Sequence, residues 1–144
     1  MNGHLLDTNI LSELRKAARC NPGVRTWIES ADPDGLFVSV LVLGEIRQGI
    51  ERIKQRDARQ ATTLERWLQR LSTQFEDRIL GVDKRVANQW GRMGLRQPVP
   101  TLNALIAATA MVHDLIVVSR DESGYRNTGA RLLNPFSTLR SEDG

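Results

Sequence analysis

The sequence predicts an α/β fold, a three-layer α/β/α sandwich with a central, mostly parallel sheet and a protruding helical hairpin. Three observations predict it. Short apolar runs read as buried strands, stretches of helical periodicity lie between them, and the length of 144 residues is about one domain's worth. Strands alternating with helices favour a parallel sheet. The sequence shows no internal repeat, so the domain is expected over residues 1–136, with 137–144 a polar, loose tail.

Residues 4–6 form the first apolar run, and Asp7-Thr8-Asn9 follows as a helix-start signal. Ile10, Leu11 and Leu14 give a helical stripe that the breaker Asn21-Pro22-Gly23 should end. Val24, Trp27 and Ile28 mark a second helix, stopped near Asp32-Pro33-Asp34-Gly35. Residues 36–40, rich in β-branched and aromatic side chains, read as the second strand. The period then turns helical, with Leu43, Ile46, Ile50 and Ile53 on one face. Ala61, Leu64, Trp67, Leu68 and Leu71 form the stripe of a further helix over about residues 57–74. Few breakers separate these two, so they pair as a hairpin.

Arg78-Ile79-Leu80 reads as a short strand and residues 82–93 as a helix. Gln97-Pro98-Val99-Pro100 is a loop, with Thr101 as N-cap of a helix rich in small residues. Residues 115–118 make the clearest strand, with Ser119-Arg120-Asp121 just past its end, and 130–133 the last one.

Composition narrows the function classes. Hydrophobic residues are 40% and charged residues 26%, ordinary for a globular protein. No apolar run approaches the roughly 18 residues that would span a bilayer. Residues 1–4 have neither the basic nor the apolar region of a signal peptide. Cys20 is the single cysteine, which excludes an internal disulfide; a cytoplasmic location is expected. The net charge of +3 is compatible with a polyanionic partner and decides nothing alone.

Ligands of open α/β sheets gather at the carboxyl ends of the strands. Asp7 and Asp121 each follow a strand, and Glu45 and Asn103 each lie early in a helix at that same edge. Four polar side chains, distant in sequence, are therefore expected to converge. Gathered carboxylates repel one another, and a hard divalent cation relieves the repulsion. Oxygen-only ligands select Mg²⁺ or Mn²⁺ over zinc. Such an ion activates water and stabilises charge developing on a phosphodiester. Taken singly, each acid also reads as a helix cap, a turn residue or an exposed acid.

His4 and His113 are expected to be structural, and Trp27, Trp67 and Trp90 to be core or interface residues. Cys20 is expected to be inert. Thr8 and Ser39 are placed to donate to the acids or to water, or else to serve in capping or packing. Arg15, Lys16, Arg19, Arg47, Arg85 and Arg92 are the cations that would flank the site and hold phosphates. A phosphatase working through an aspartyl-phosphate typically needs a second Asp two residues after the first; Asn9 stands there.

Set in order, four segments resemble the PIN-domain family, and within it the VapC toxins and FitB-like proteins. Leu5-Leu6-Asp7-Thr8-Asn9-Ile10 is similar to the family's opening strand and first acid. Ser39 through Ile50, carrying Glu45, resembles the segment of the second acid; Pro100 through Ala110, carrying Asn103, that of the third; and Ser119-Arg120-Asp121 that of the fourth. The closing residues 128–136 also fit. Two positions depart from the pattern: Asn103 stands where the family has Asp, and Gly124 where many relatives have another.

The resemblance implies a metal-dependent endoribonuclease acting through Asp7, Glu45, Asn103 and Asp121 with Mg²⁺ or Mn²⁺, weakened by the uncharged Asn103. It also implies a homodimer neutralised by a small VapB-like antitoxin, with DNA met only through that antitoxin. The helical hairpin around residues 43–74, with Leu64 and Trp67 on it, is the expected dimer and antitoxin surface. The alternative is a catalytically inactive PIN-fold protein that keeps antitoxin and RNA binding.

Overall fold

The structure, a computed structural model, describes residues 3–94 and 99–137. Five strands, β1 (Gly3–Leu6), β2 (Leu36–Ser39), β3 (Ile79–Leu80), β4 (Leu115–Val118) and β5 (Leu132–Leu133), form one sheet in the order β3-β2-β1-β4-β5. Every pairing is parallel. In the centre, Leu5 pairs with Phe37 on one side and Val117 on the other. Leu5 and Leu6 point to opposite faces and neither is exposed, so both faces are covered, as parallel sheets require. The strand order reverses between β1 and β4, and at such a switch point a crevice opens at the carboxyl ends.

Among the described residues seven α-helices accompany the sheet: α1 (Thr8–Leu14), α2 (Pro22–Ser30), α3 (Val40–Lys54), α4 (Ala58–Gln74), α5 (Lys84–Arg92), α6 (Thr101–Val112) and the short α7 (Glu122–Tyr125). Most begin on a side-chain cap. Ser39 accepts from Leu41 N, Asp57 from Gln60 N and Asp83 from Val86 N.

Three local expectations change. Asn21-Pro22-Gly23, read as a terminator, starts α2: the Asn21 side chain accepts from Gly23 N and Val24 N, and Pro22 sits where a missing N–H costs nothing. Thr101 is the first residue of α6 and not its cap, because Pro100, extended at φ −53° and ψ 136°, occupies that place without a side-chain bond. The last strand shrinks to Leu132–Leu133. Gln97 and Pro98 of the expected loop lie outside the described residues, as do residues 138–144 of the expected tail. Residues 134–137 are held: Ser137 N donates to Asn21 Oδ1 at 2.8 Å, and the Arg120 guanidinium lies 4.7 Å from the Phe136 ring centre.

The α3–α4 hairpin buries its facing sides in continuity with the sheet core, through Ile46, Ile50, Ala61, Leu64, Leu68 and Leu71. Arg47 grips Glu65 with both guanidinium nitrogens, at 2.6 and 2.7 Å, across the two helices. Leu64, expected on the outer surface, is only 8% exposed and belongs to the core. Trp67 remains partly accessible, with the Arg15 guanidinium 5.5 Å from its ring centre.

Candidate active site

Asp7 extends the sheet by one residue, its N–H donating to Val118 O at 3.0 Å. Its extended backbone aims the carboxylate over the start of α1, where Oδ1 accepts from Thr8 N at 2.9 Å. Oδ2 accepts from the Ser119 hydroxyl at 2.8 Å and the Tyr125 hydroxyl at 3.0 Å. The residue is 7% exposed, and these three donors compensate the loss of water.

Ser119, fully buried just past β4, also accepts from Asn9 Nδ2 and from Asp121 N, each at 3.0 Å. Asn9 Oδ1 in turn accepts from Arg120 N at 3.0 Å. The turns that follow β1 and β4 are thereby stitched together across the switch point.

Glu45, half-buried in the second turn of α3, accepts the Thr8 hydroxyl on Oε1 at 2.5 Å. Asp121 caps α7: Oδ1 accepts from Gly124 N at 3.0 Å, and Oδ2 accepts from Asn103 Nδ2, in the first turn of α6, at 3.2 Å. Asp7, Glu45, Asn103 and Asp121 therefore line one cleft of about 270 Å³, together with Thr8 and Tyr125.

Tyr125 and the linking role of Ser119 escaped the sequence reading. A usable signal existed for the first: Tyr125 is the chain's single tyrosine, one helical turn beyond Asp121. Burial, followed by the charge and hydrogen bond of Asp7 and the charges of Glu45 and Asp121, pushes its hydroxyl far above the ordinary tyrosine range. It stays protonated, an obligate donor to Asp7.

Other expected residues lie elsewhere. Thr8 serves Glu45, whereas the Ser39 hydroxyl is spent on capping α3. None of the six proposed cations lines the cleft. Arg15 covers Trp67, Lys16 pairs with Glu13 at 3.0 Å, Arg47 holds Glu65, and Arg85 donates to Val112 O at 3.3 Å. His4 stands edge-on to Trp27, its ring centre 5.1 Å away, and His113 caps the end of α6. Burial, aided by the Glu13 charge, raises the Cys20 thiol. Glu13 is the other buried acid among the described residues. Burial would raise its pKa, but Lys16 and the Asn21 N–H outweigh that and hold it below the usual range.

The donor set of the cleft suits a hard divalent cation: three carboxylates and two amides, Asn9 and Asn103, without sulfur or imidazole. As the side chains stand, no three His, Cys, Asp or Glu among the described residues gather closely enough to grip an ion. Asp121 is turned toward Asn103 and Gly124.

Fold and cleft together define an open parallel α/β domain with acidic side chains converging at its switch point. The PIN-domain family model matches residues 4–130, and the chain belongs to that family. It is 28% identical over 137 residues to plasmid stability protein StbB of Pseudomonas syringae pv. tomato, covering 92% of this chain and 97% of StbB. It is 27% identical to toxin FitB of Neisseria gonorrhoeae, with the same coverage. It is 25% identical over 138 residues to VapC ribonuclease Y4jK of Sinorhizobium fredii, covering 92% and 96%. Among solved structures, FitAcB from Neisseria gonorrhoeae superimposes with a TM-score of 0.82 at 26% identity, covering 92% and 97%.

Proposed function

We propose that this chain is the toxin of a type II, VapBC-like toxin–antitoxin module, an endoribonuclease that hydrolyses RNA phosphodiester bonds with Mg²⁺ or Mn²⁺ in the cytoplasm. The observation that carries the reading is the single cleft into which Asp7, Glu45, Asn103 and Asp121 converge from four separate segments. Support comes also from the family, from relatives named as a toxin and as a VapC ribonuclease, and from the match to FitAcB.

Asp7, Glu45 and Asp121 would hold the cation, with Asn103 at the fourth position. The ion, when bound, supplies an activated water and offsets charge on the phosphoryl group. The chain's own residues prepare the ligands. Ser119 and Tyr125 fix one oxygen of Asp7, and Thr8 N turns the other toward α1. The Thr8 hydroxyl fixes Glu45 and leaves its second oxygen for a ligand.

The same reading makes the protein a homodimer neutralised by a small VapB-like antitoxin, through which alone it meets DNA. An apolar groove beside the hairpin, of about 330 Å³ and lined by Leu11, Leu14, Ile28, Trp67, Leu71 and Phe75, suits an apolar antitoxin segment.

One contact favours a second reading, a PIN-fold binding protein without catalysis: the Asn103 amide donates to Asp121 where a carboxylate would share an ion. An RNA-cleavage assay of the chain, Asp7→Ala and Asn103→Asp, each with and without Mg²⁺ or Mn²⁺, separates the two. Metal-dependent cleavage by the chain, lost in Asp7→Ala and faster in Asn103→Asp, is expected. Cleavage by Asn103→Asp alone would establish the binding protein, and cleavage by neither would end the nuclease reading.

A further inference from the structure

We infer that Asn103 competes with the cation instead of ligating it: its amide nitrogen latches Asp121 in a position that Gly124 makes available. The inference rests on the proposed metal site and gives the Asn103 position the opposite role within it.

A carboxylate only accepts hydrogen bonds, so the Asn103 group facing Asp121 Oδ2 at 3.2 Å is the NH₂ and not the carbonyl. The positive end of the amide dipole thus lies beside the oxygen that a shared cation would need. An amide that ligated the ion would present its oxygen there. Asp121 is held on its other side too, Oδ1 accepting from Gly124 N at 3.0 Å.

The second departure from the family pattern belongs to the same arrangement. A Cβ at position 124 would stand 2.2 Å from Asp121 Oδ2, 2.7 Å from Asp121 Cγ and 2.7 Å from Asn103 Nδ2. Any side chain at 124 would displace the Asp121 carboxylate from the place where Asn103 reaches it. Asn103 and Gly124 are therefore one structural device: the first supplies the donor and the second the space. Asp121 is exposed, so releasing it exacts no core rearrangement, and a cation that captures it must first break the latch.

The test is Mg²⁺ binding by isothermal titration calorimetry to the intact chain, Asn103→Ala, Gly124→Ala and the double variant. In parallel, the Asn103 side-chain amide resonances are followed by NMR through the Mg²⁺ titration. A competitor, when removed, tightens binding: Asn103→Ala should lower the Mg²⁺ dissociation constant by about threefold to tenfold. Gly124→Ala should tighten it as well, and the double variant should gain no more than the better single variant, because both break one bond. The amide resonances should move in step with metal occupancy.

Weaker or unchanged binding by Asn103→Ala would overturn the latch while leaving the metal site in place. Absence of Mg²⁺ binding in the chain and in Asn103→Ala alike would overturn both. If Gly124→Ala does not fold, the sign of the Asn103→Ala effect decides alone.

Discussion

The two ends of the cleft are built differently. At one end Asp7 is buried at a strand terminus, with both carboxylate oxygens engaged by a backbone N–H and two buried hydroxyls. At the other end Asp121 is the exposed N-cap of a four-residue helix, held by that helix's own backbone and by an amide from α6. The carboxylate of Asp7 is thus part of the fold, while the position of Asp121 is provisional. Sheet and hydrogen-bond network fix the first; exposed hydrogen bonds from Asn103, Ser123 and Gly124 N, with the space left by a missing side chain at 124, fix the second.

The largest consequence is for stability. Asp7→Ala strands the buried Ser119 and Tyr125 hydroxyls and removes the cap of α1, and should cost about 2–3 kcal/mol. Asp121→Ala loses only exposed contacts and should cost at most about 1 kcal/mol. Urea unfolding of both variants without metal measures the gap. Equal costs would break the asymmetry.

Next comes Asn103→Asp. It replaces an amide donor, 3.2 Å from Asp121 Oδ2, by a second carboxylate. The metal-free protein should lose on the order of 1 kcal/mol through repulsion. The shift in Tm on adding Mn²⁺ should grow, because the new charge favours the ion. Thermal melts with and without Mn²⁺ check both signs, and identical metal-induced shifts in the two forms would refute the prediction.

The same asymmetry explains what the sequence made legible. Asp7 and Asp121 follow β1 and β4, both read as apolar runs, and period and position were enough to place them at one edge. Glu45 reached the cleft because α3 starts directly after β2 at that edge, and Asn103 because it lies in the first turn of α6, which follows α5 and leads into β4. The contacts that tune these residues were not legible. Ser119 reaches Asp7 across 112 positions, and Tyr125 across 118, through a sheet order that periodicity cannot supply. Leu64 and Trp67 sit on one stripe with nothing local to say that the first turns inward to the core and the second borders a groove. Asn21-Pro22-Gly23 does stand at the boundary between α1 and α2, but its role as the start of α2 was not legible, since the residues that break a helix also begin one, and the hydrogen bonds of the Asn21 side chain decide which.

The smallest effect is a pH dependence that isolates the Asp7 end. Tyr125 has an ordinary value of 10.0 when exposed, and burial together with Asp7 raises it well above that in the folded chain. The protonated hydroxyl therefore contributes its stability in full below about pH 10. That contribution is lost as pH rises toward the folded value, since the unfolded chain ionises first. Half a unit above pH 10 the loss should be under about 1 kcal/mol, with a slope near 1.4 kcal/mol per further unit. Because the chain has one tyrosine, tyrosinate absorbance reports this group alone. It should remain absent from the native protein at pH 10.5 and appear together with unfolding, and Tyr125→Phe should remove its share of the alkaline slope. Tyrosinate forming in the native protein near pH 10 would mean that the hydroxyl is not locked to Asp7, and the contrast between the two ends of the cleft would collapse.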